Sequence, residues 1–255
     1  MSANDNPADH WAETIVGLPL GTPPLRTMSL VRQEHADTNN IALDQQQFKI
    51  RLANSEGRRE SASLLIKKMY AWRGYETASA TNNVPNRISL MADLDSQVIG
   101  TLTIGLDSPA GLLVDLLYQD EIDRLRQDQR LVCEFIKLAV DPEIKSKRVL
   151  ASLFHLAYIY AHLIHGATDT VIEVNPRHVV FYKRMLGFEQ LGMERMCPRV
   201  NAPAVLLRLP FDHAKREIAK YGGTMHELPG LRALYPFFFG AGDERGITSR
   251  LLRGE

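Results

Sequence analysis

From Phe48 onward the hydrophobic positions follow a period that switches repeatedly between two and about three and a half, as it does when strands and helices alternate. FKIRLA alternates like a half-buried strand. SEGRRESASLLIKKMYAWRGY then spaces Ala62, Leu65, Ile66 and Met69 along one side of a predicted helix opened by a Ser55 cap. RISLMADL (Arg87–Leu94) and QVIGTLTIGL (Gln97–Leu106) alternate on either side of Asp95-Ser96, which predicts a tight antiparallel hairpin. Residues 112–129 return to helical spacing, with Leu112, Leu116, Ile122 and Leu125 on the apolar side. RLVCEFIKLAV (Arg130–Val140) predicts a strand stopped by Asp141-Pro142, and a long helix over residues 146–165 follows. DTVIEV (Asp169–Val174) reads as a strand, HVVFYKRML (His178–Leu186) as a short helix capped by Gly187, and APAVLLRLP (Ala202–Pro210) as the last strand. This order predicts one mixed α/β layer with helices on both faces, and no repeat of 20–50 residues points elsewhere.

The ends differ from this middle. Residues 1–45 hold four prolines and six acids against two bases, and they read as a flexible N-terminal arm. The folded domain is expected over residues 46–210, and residues 211–255 as a C-terminal extension made of a basic helix and an aromatic tail. Val149–Thr168 carries no formal charge and is about long enough to span a bilayer. However, His155, Tyr158, His162 and His165 form a polar stripe at helical spacing, which favours a helix packed on a sheet. The polar, acidic opening lacks the pattern of a secretory signal.

Charge and composition narrow the chemistry. Thirty basic and thirty acidic side chains cancel in the 255-residue chain, with a pI near 7.1. That balance removes the electrostatic footprint of a nucleic-acid binder and favours small-molecule chemistry or protein partners. Two cysteines make no disulfide framework, so a cytoplasmic location is expected.

The strand and helix order resembles the GCN5-related N-acetyltransferase (GNAT) fold. NPRHVVFYKRMLGFEQLG (Asn175–Gly192) looks like that fold's terminal motif, an Asn followed seven residues later by Tyr. CEFIKLAVDP (Cys133–Pro142) resembles the Glu-containing fourth strand of acyl-homoserine lactone synthases and long-chain N-acyl amino acid synthases. MYAWRGYE, TLTIGLDSPAGLL and LYPFFF are similar to the latter family in particular. The resemblance covers roughly residues 48–245. It implies an enzyme that moves a long-chain acyl group from acyl carrier protein to the α-amine of an amino acid. The 4′-phosphopantetheine thioester would be a co-substrate, with no bound cofactor and no metal.

Such a transfer needs a base for the attacking ammonium, donors for the oxyanion and an acid for the leaving thiolate. Glu134 shares a strand face with Val132, Ile136 and Leu138, where lost solvent should raise its pKa into the range of a general base. The competing reading is a bulged strand in which Glu134 only pairs with a nearby Arg or Lys. Tyr182 is the candidate acid, placed by resemblance near the leaving sulfur, or else an aromatic anchoring its helix to the sheet. Asn175 caps a helix or binds a pantetheine amide, with capping favoured. The segment DPEIKSKRVLAS lacks the glycines with which coenzyme A users hold a pyrophosphate. Lys145, Lys147 and Arg148 there could instead meet one phosphate and an acidic carrier, or simply form a solvated helix start.

The acceptor's carboxylate calls for Arg73 or Arg177, between which the sequence does not choose, with His178 assisting at the amine. Leu102, Ile104 and Phe135, or the tail aromatics Tyr235, Phe237, Phe238 and Phe239, could line or cover an acyl slot. Cys133 faces away from Glu134 and reads as a core thiol, as does Cys197, and His162 with His165 lacks a third ligand. Gly100, Gly105 and Gly111 form no dinucleotide fingerprint. Other possible acceptors are ornithine or S-adenosylmethionine, and a non-catalytic acyl-carrier or lipid binder is the alternative from another class. A peripheral membrane contact through the C-terminal extension stays open.

Overall fold

The computed structural model describes residues 14–20, 47–53, 56–71, 86–144, 146–225 and 231–253. Among these residues nine strands make the sheet: β1 (Thr14–Pro19), β2 (Gln47–Leu52), β3 (Arg87–Leu94), β4 (Gln97–Leu106), β5 (Val132–Val140), β6 (Asp169–Val174), β7 (Glu189–Gln190), β8 (Arg195–Cys197) and β9 (Ala202–Pro210). Their order is β1-β2-β3-β4-β5-β6-β9-β7, with β8 also on β9. Every pairing is antiparallel except β5 with β6. The hairpin turns where the alternation predicts, because Asp95 and Ser96 both adopt the left-handed backbone (φ 48° and 67°) that a two-residue hairpin loop demands.

Six α-helices among the described residues accompany the sheet: α1 (Glu56–Ala71), α2 (Asp115–Gln127), α3 (Lys147–Tyr158), α4 (Val179–Leu186), α5 (Phe211–Tyr221) and α6 (Ala241–Arg253). On one face, Ile122 and Leu125 of α2 pack with Val132, Val171 and Leu206, and Leu65 and Ile66 of α1 pack on Ala139. The opposite face carries the larger core, where α3, α5 and α6 cover Ile104, Cys133, Phe135, Ile172 and Leu207. The mixed layer with helices on both faces is the one expected.

Several local expectations need correction. Part of the segment expected as a flexible arm is strand β1, an edge strand whose ends are fixed from far along the chain. Arg250 Nη2 donates to the Ile15 carbonyl at 2.9 Å and Ser146 Oγ to the Leu20 carbonyl at 2.8 Å. In α2, Leu116 is exposed, and Tyr118 and Glu121 are buried in its place. The reason is a kink: Tyr118 leaves helical geometry (φ −131°, ψ 35°), which rotates the helix that follows.

The polar stripe on the long helix is also not a solvent face at its start. His155 is wholly buried, and α3 continues as a π-helix over Ile159–Ile164. His155 Nδ1 accepts from the Phe239 N–H at 2.9 Å, which leaves Nε2–H to donate to Glu244 Oε2 at 2.8 Å. Phe238 and Phe239 stack on its ring at 4.8 and 4.9 Å. Tyr235, Phe238 and Phe239 are thereby consumed as core, and only Phe237 of the tail aromatics keeps partial exposure. No helix among the described residues is long and apolar enough to cross a membrane.

Candidate active site

Strands β3, β4 and β5 each contribute one residue to a row across the sheet, Arg87 opposite Gly105 and Gly105 opposite Glu134. The middle position must be glycine, because a Cβ there would stand 2.8 Å from both Cγ and Oε1 of Glu134. Glu134 therefore reaches over β4, and its Oε1 accepts a hydrogen bond from Arg87 Nη2 at 3.3 Å. Backbone N–H groups supply the remaining donors, Leu113 to Oε1 and Val114 to Oε2, each at 3.0 Å.

Those two N–H groups belong to the turn entering α2, and its shape has visible causes. Gly111 takes a left-handed φ of 72°, Asp115 Oδ2 accepts from the Leu112 N–H at 2.7 Å, and Arg126 ties Asp107, Asp115 and Asp123 together at 2.6–2.7 Å. Arg199, before β9, continues the chain of bonds. Its Nη1 donates to the Leu113 carbonyl at 2.7 Å and its Nη2 to Glu173 Oε2, on β6, at 2.6 Å.

This polar bridge runs from β5 to β6 where their backbones part. The parallel pairing covers Val132/Asp169, Cys133/Thr170 and Glu134/Val171 and stops there. A bulge turns β5 away: two residues, Lys137 and Leu138, oppose the single Leu102, and Lys137 takes a left-handed φ of 54°. Beyond Glu134 the two strands form the sides of a wedge. The bulge also corrects the expected face, since Ala139 and not Leu138 joins Ile136 and Glu134, and Leu138 packs on the larger core.

The competing reading of Glu134 is thus partly realised, since the strand bulges and an arginine pairs with the carboxylate. Yet Glu134 keeps chemical capacity. It is 1% exposed, and burial pushes its carboxyl above the ordinary value of 4.5, which the Leu113 N–H, the Arg87 charge, the Val114 N–H and Arg199 oppose without cancelling. Among the described residues three donors meet a group with about four acceptor sites, which leaves one at Oε2 for a further proton donor. Burial, and then the charge of Arg87, lowers the Lys137 ammonium below 10.5, against the opposing pull of Glu134. A buried carboxylate with spare acceptor capacity, beside a wedge and two cations, can take a proton from an ammonium.

The other sequence candidates are placed as follows. Tyr182, on α4, is half-buried and meets Phe154 and Phe188 edge-on, at 6.3 and 5.7 Å between ring centroids. Asn175 caps, accepting from the Arg177 N–H at 3.2 Å while its amide donates to the Pro203 carbonyl. Arg177 is exposed, with Nε 3.2 Å from His178 Nε2. Lys147 is exposed at the start of α3, 5.7 Å from the centre of the Phe237 ring, and Arg148 lies beside it, half-buried. Leu102, Ile104 and Phe135 are core residues, Phe135 meeting Phe154 and Phe211. Arg73 and Lys145 lie outside the described residues. Cys133 is wholly buried and desolvation raises its thiol, in keeping with a core role.

Sequence reasoning missed Arg87, Lys137, Arg199 and Glu173. A glycine inside an otherwise apolar strand was the available signal for Arg87, because it marks a close approach from a neighbour. The partners of Arg199 come from distant segments, and nothing local announces them.

The chain is similar to known proteins. The family model described as N-acyl amino acid synthase FeeM matches residues 61–210. Among solved structures, FeeM, an N-acyl amino acid synthase from uncultured soil microbes, is similar with 26% identity and a TM-score of 0.61, over 66% of this chain and 92% of that one. An acyl-CoA N-acyltransferase from Pseudomonas aeruginosa aligns with 14% identity and a TM-score of 0.46, over 64% of this chain and 98% of that one. An N-acetyltransferase from Staphylococcus aureus Mu50 aligns with 12% identity and a TM-score of 0.46, over 65% and 98%. No curated protein matches. The fold is GNAT-like, as the sequence led one to expect.

Proposed function

The chain belongs to the N-acyl amino acid synthase FeeM family and is an acyltransferase, and from that premise we propose that it moves a long-chain fatty acyl group from acyl carrier protein to the α-amine of an amino acid. Glu134 takes a proton from the acceptor ammonium. The freed amine attacks the thioester carbonyl, a C–N bond forms, the C–S bond breaks, and Tyr182 protonates the departing thiolate; the second proton shed by the new amide nitrogen restores the Tyr182 phenol, and Glu134 gives its proton to solvent. Backbone N–H groups of β5 beyond the last β6 pairing receive the oxyanion, and the acyl donor is consumed as a substrate.

The observation that carries this reading is the position of Glu134, buried to 1% exposure and holding spare acceptor capacity at the last rung of the β5/β6 pairing. A strand that loses its neighbour presents unpaired amide groups, which suit the two amides of a pantetheine arm. The carrier-protein donor draws support from the entrance to α3. That segment has no glycine, among the described residues no side chain caps the helix, and Lys147 and Arg148 stand in the first turn, a setting adequate for one phosphate. Asn175, spent as a cap, contributes to this reading only by shaping the turn after β6.

Lipid extraction from cells overproducing the protein, read by mass spectrometry, tests the proposal. An amide of a fatty acid and an amino acid should accumulate, and should not with Glu134→Gln. An acyl-homoserine lactone, or no new amphiphile, would overturn it. Comparing acyl carrier protein and coenzyme A thioesters as donors to the purified enzyme settles the donor.

A further inference from the structure

The Arg87–Glu134 pair mirrors the charges of the acceptor. An amino acid carries its carboxylate and ammonium on one carbon, with about 2.5 Å from the nitrogen to the carboxyl carbon. Here a cation and an anion stand side by side, Nη2 3.3 Å from Oε1, with a side-chain-free glycine between their strands. The two ends differ in access: the Arg87 side chain is 21% exposed and that of Glu134 is 1% exposed. The one recorded bond of Arg87 uses Nη2, and among the described residues its Nε–H and Nη1–H groups donate to no partner. A partly exposed guanidinium with N–H groups to spare is suited to a carboxylate.

Taking the proposed acyl transfer as given, we propose that Arg87 binds the α-carboxylate of the acceptor amino acid and so sets its α-amine against Glu134. A zwitterion laid along the pair places unlike charges together at both ends. Lys137 supports the assignment, because its ammonium is disfavoured by burial and by the charge of Arg87, and an anion arriving beside Arg87 relieves that repulsion. Arg177 is less suited, being exposed and turned to His178 on the segment that follows β6.

The test compares each amino acid with the amine left by removing its carboxylate: phenylalanine with phenethylamine, leucine with isopentylamine, ornithine with putrescine. Palmitoyl acyl carrier protein serves as donor to the full-length enzyme. The wild type should prefer the acid form in kcat/KM. Arg87→Met should shrink that preference on the order of tenfold to a hundredfold, and Arg87→Lys should restore part of it. The KM for the donor should move little in comparison. Equal loss on both members of a pair would overturn the assignment, as would erasure of the preference by Arg177→Met or Arg73→Met instead. Calorimetric titration of the amino acids without donor gives an answer independent of turnover. Binding that weakens in Arg87→Met supports the site, while binding that survives it, or no binding to the wild type, overturns it. Absence of transfer to every amine, with amino-acid binding intact, would instead count against the proposed transfer alone.

Discussion

Two ionisable side chains, one on each face of the sheet, are almost equally hidden and chemically opposite. Glu134 is 1% exposed on the face of α1 and α2, and His155 is fully buried on the other. Burial shifts both toward their neutral forms, raising the carboxyl and lowering the imidazole. A search for perturbed groups would flag both alike. What separates them is unspent bonding capacity. His155 has two ring nitrogens, both engaged, and aromatic rings within stacking distance. Glu134 has three donors for about four acceptor positions and stands where two strands part. One residue fastens the C-terminal extension to the core, and the other is left able to react.

Exchanging the roles of the two residues is the strongest way to break this comparison. Glu134→Gln should lower kcat by about a thousandfold, the scale of a lost general base, while a thermal melt shows a folded protein. His155→Ala should do the reverse. It should cost about 3 kcal/mol of stability in a denaturant titration, through the cavity and the orphaned Phe239 N–H, and leave turnover per folded molecule nearly unchanged.

Gly105→Ala probes the row itself. A Cβ 2.8 Å from Glu134 should displace the carboxylate, at a cost of roughly 1–3 kcal/mol in stability and about a tenfold to hundredfold loss of rate. Arg199→Met frees the Leu113 carbonyl and removes a charge that favours ionised Glu134. A rate loss of about tenfold is expected, with the acid limb of the pH–rate profile moved upward and Arg199→Lys recovering part of both. A uniform loss with no shift in that limb would mean that Arg199 serves only the fold.

The pH responses are the mildest and differ in sign. In the proposed transfer the ionised form of Glu134 accepts the proton, so kcat/KM should fall as pH drops through a value above the ordinary 4.5. His155 contributes through the neutral state. Its folded pKa is depressed, so its contribution is whole above the unfolded value of 6.5 and is lost as pH falls from there toward the folded one. The slope should not exceed about 1.4 kcal/mol per pH unit, and it should vanish in His155→Ala.

Much of the frame was legible in the chain. The hairpin strands, β6 and β9 begin and end where the alternation does, and Gly187 ends α4 with the left-handed φ of 78° that glycine accepts freely. Strand β1 was hidden because TIVGLP sits in a polar, proline-containing segment, and its holding contacts reach 126 and 235 residues along the chain. The kink at Tyr118 was hidden too, since its hydroxyl answers to the carbonyls of Met193 and Ala204 and not to its own helix.

The sequence alone determined the kinds of element, their order, and a glutamate in the strand of the family motif, because each depends on local periodicity or on residue type. Only the tertiary structure decided which groups surround that glutamate. Between the turn and Arg87 the hairpin slips by one residue, at Ala92/Asp93. Without that slip Arg87 would lie opposite Ile104, toward the other core, and not opposite Gly105. One residue of register reverses every side chain of a strand. The slip is a property of how two strands pair, which the periodicity within either strand does not report.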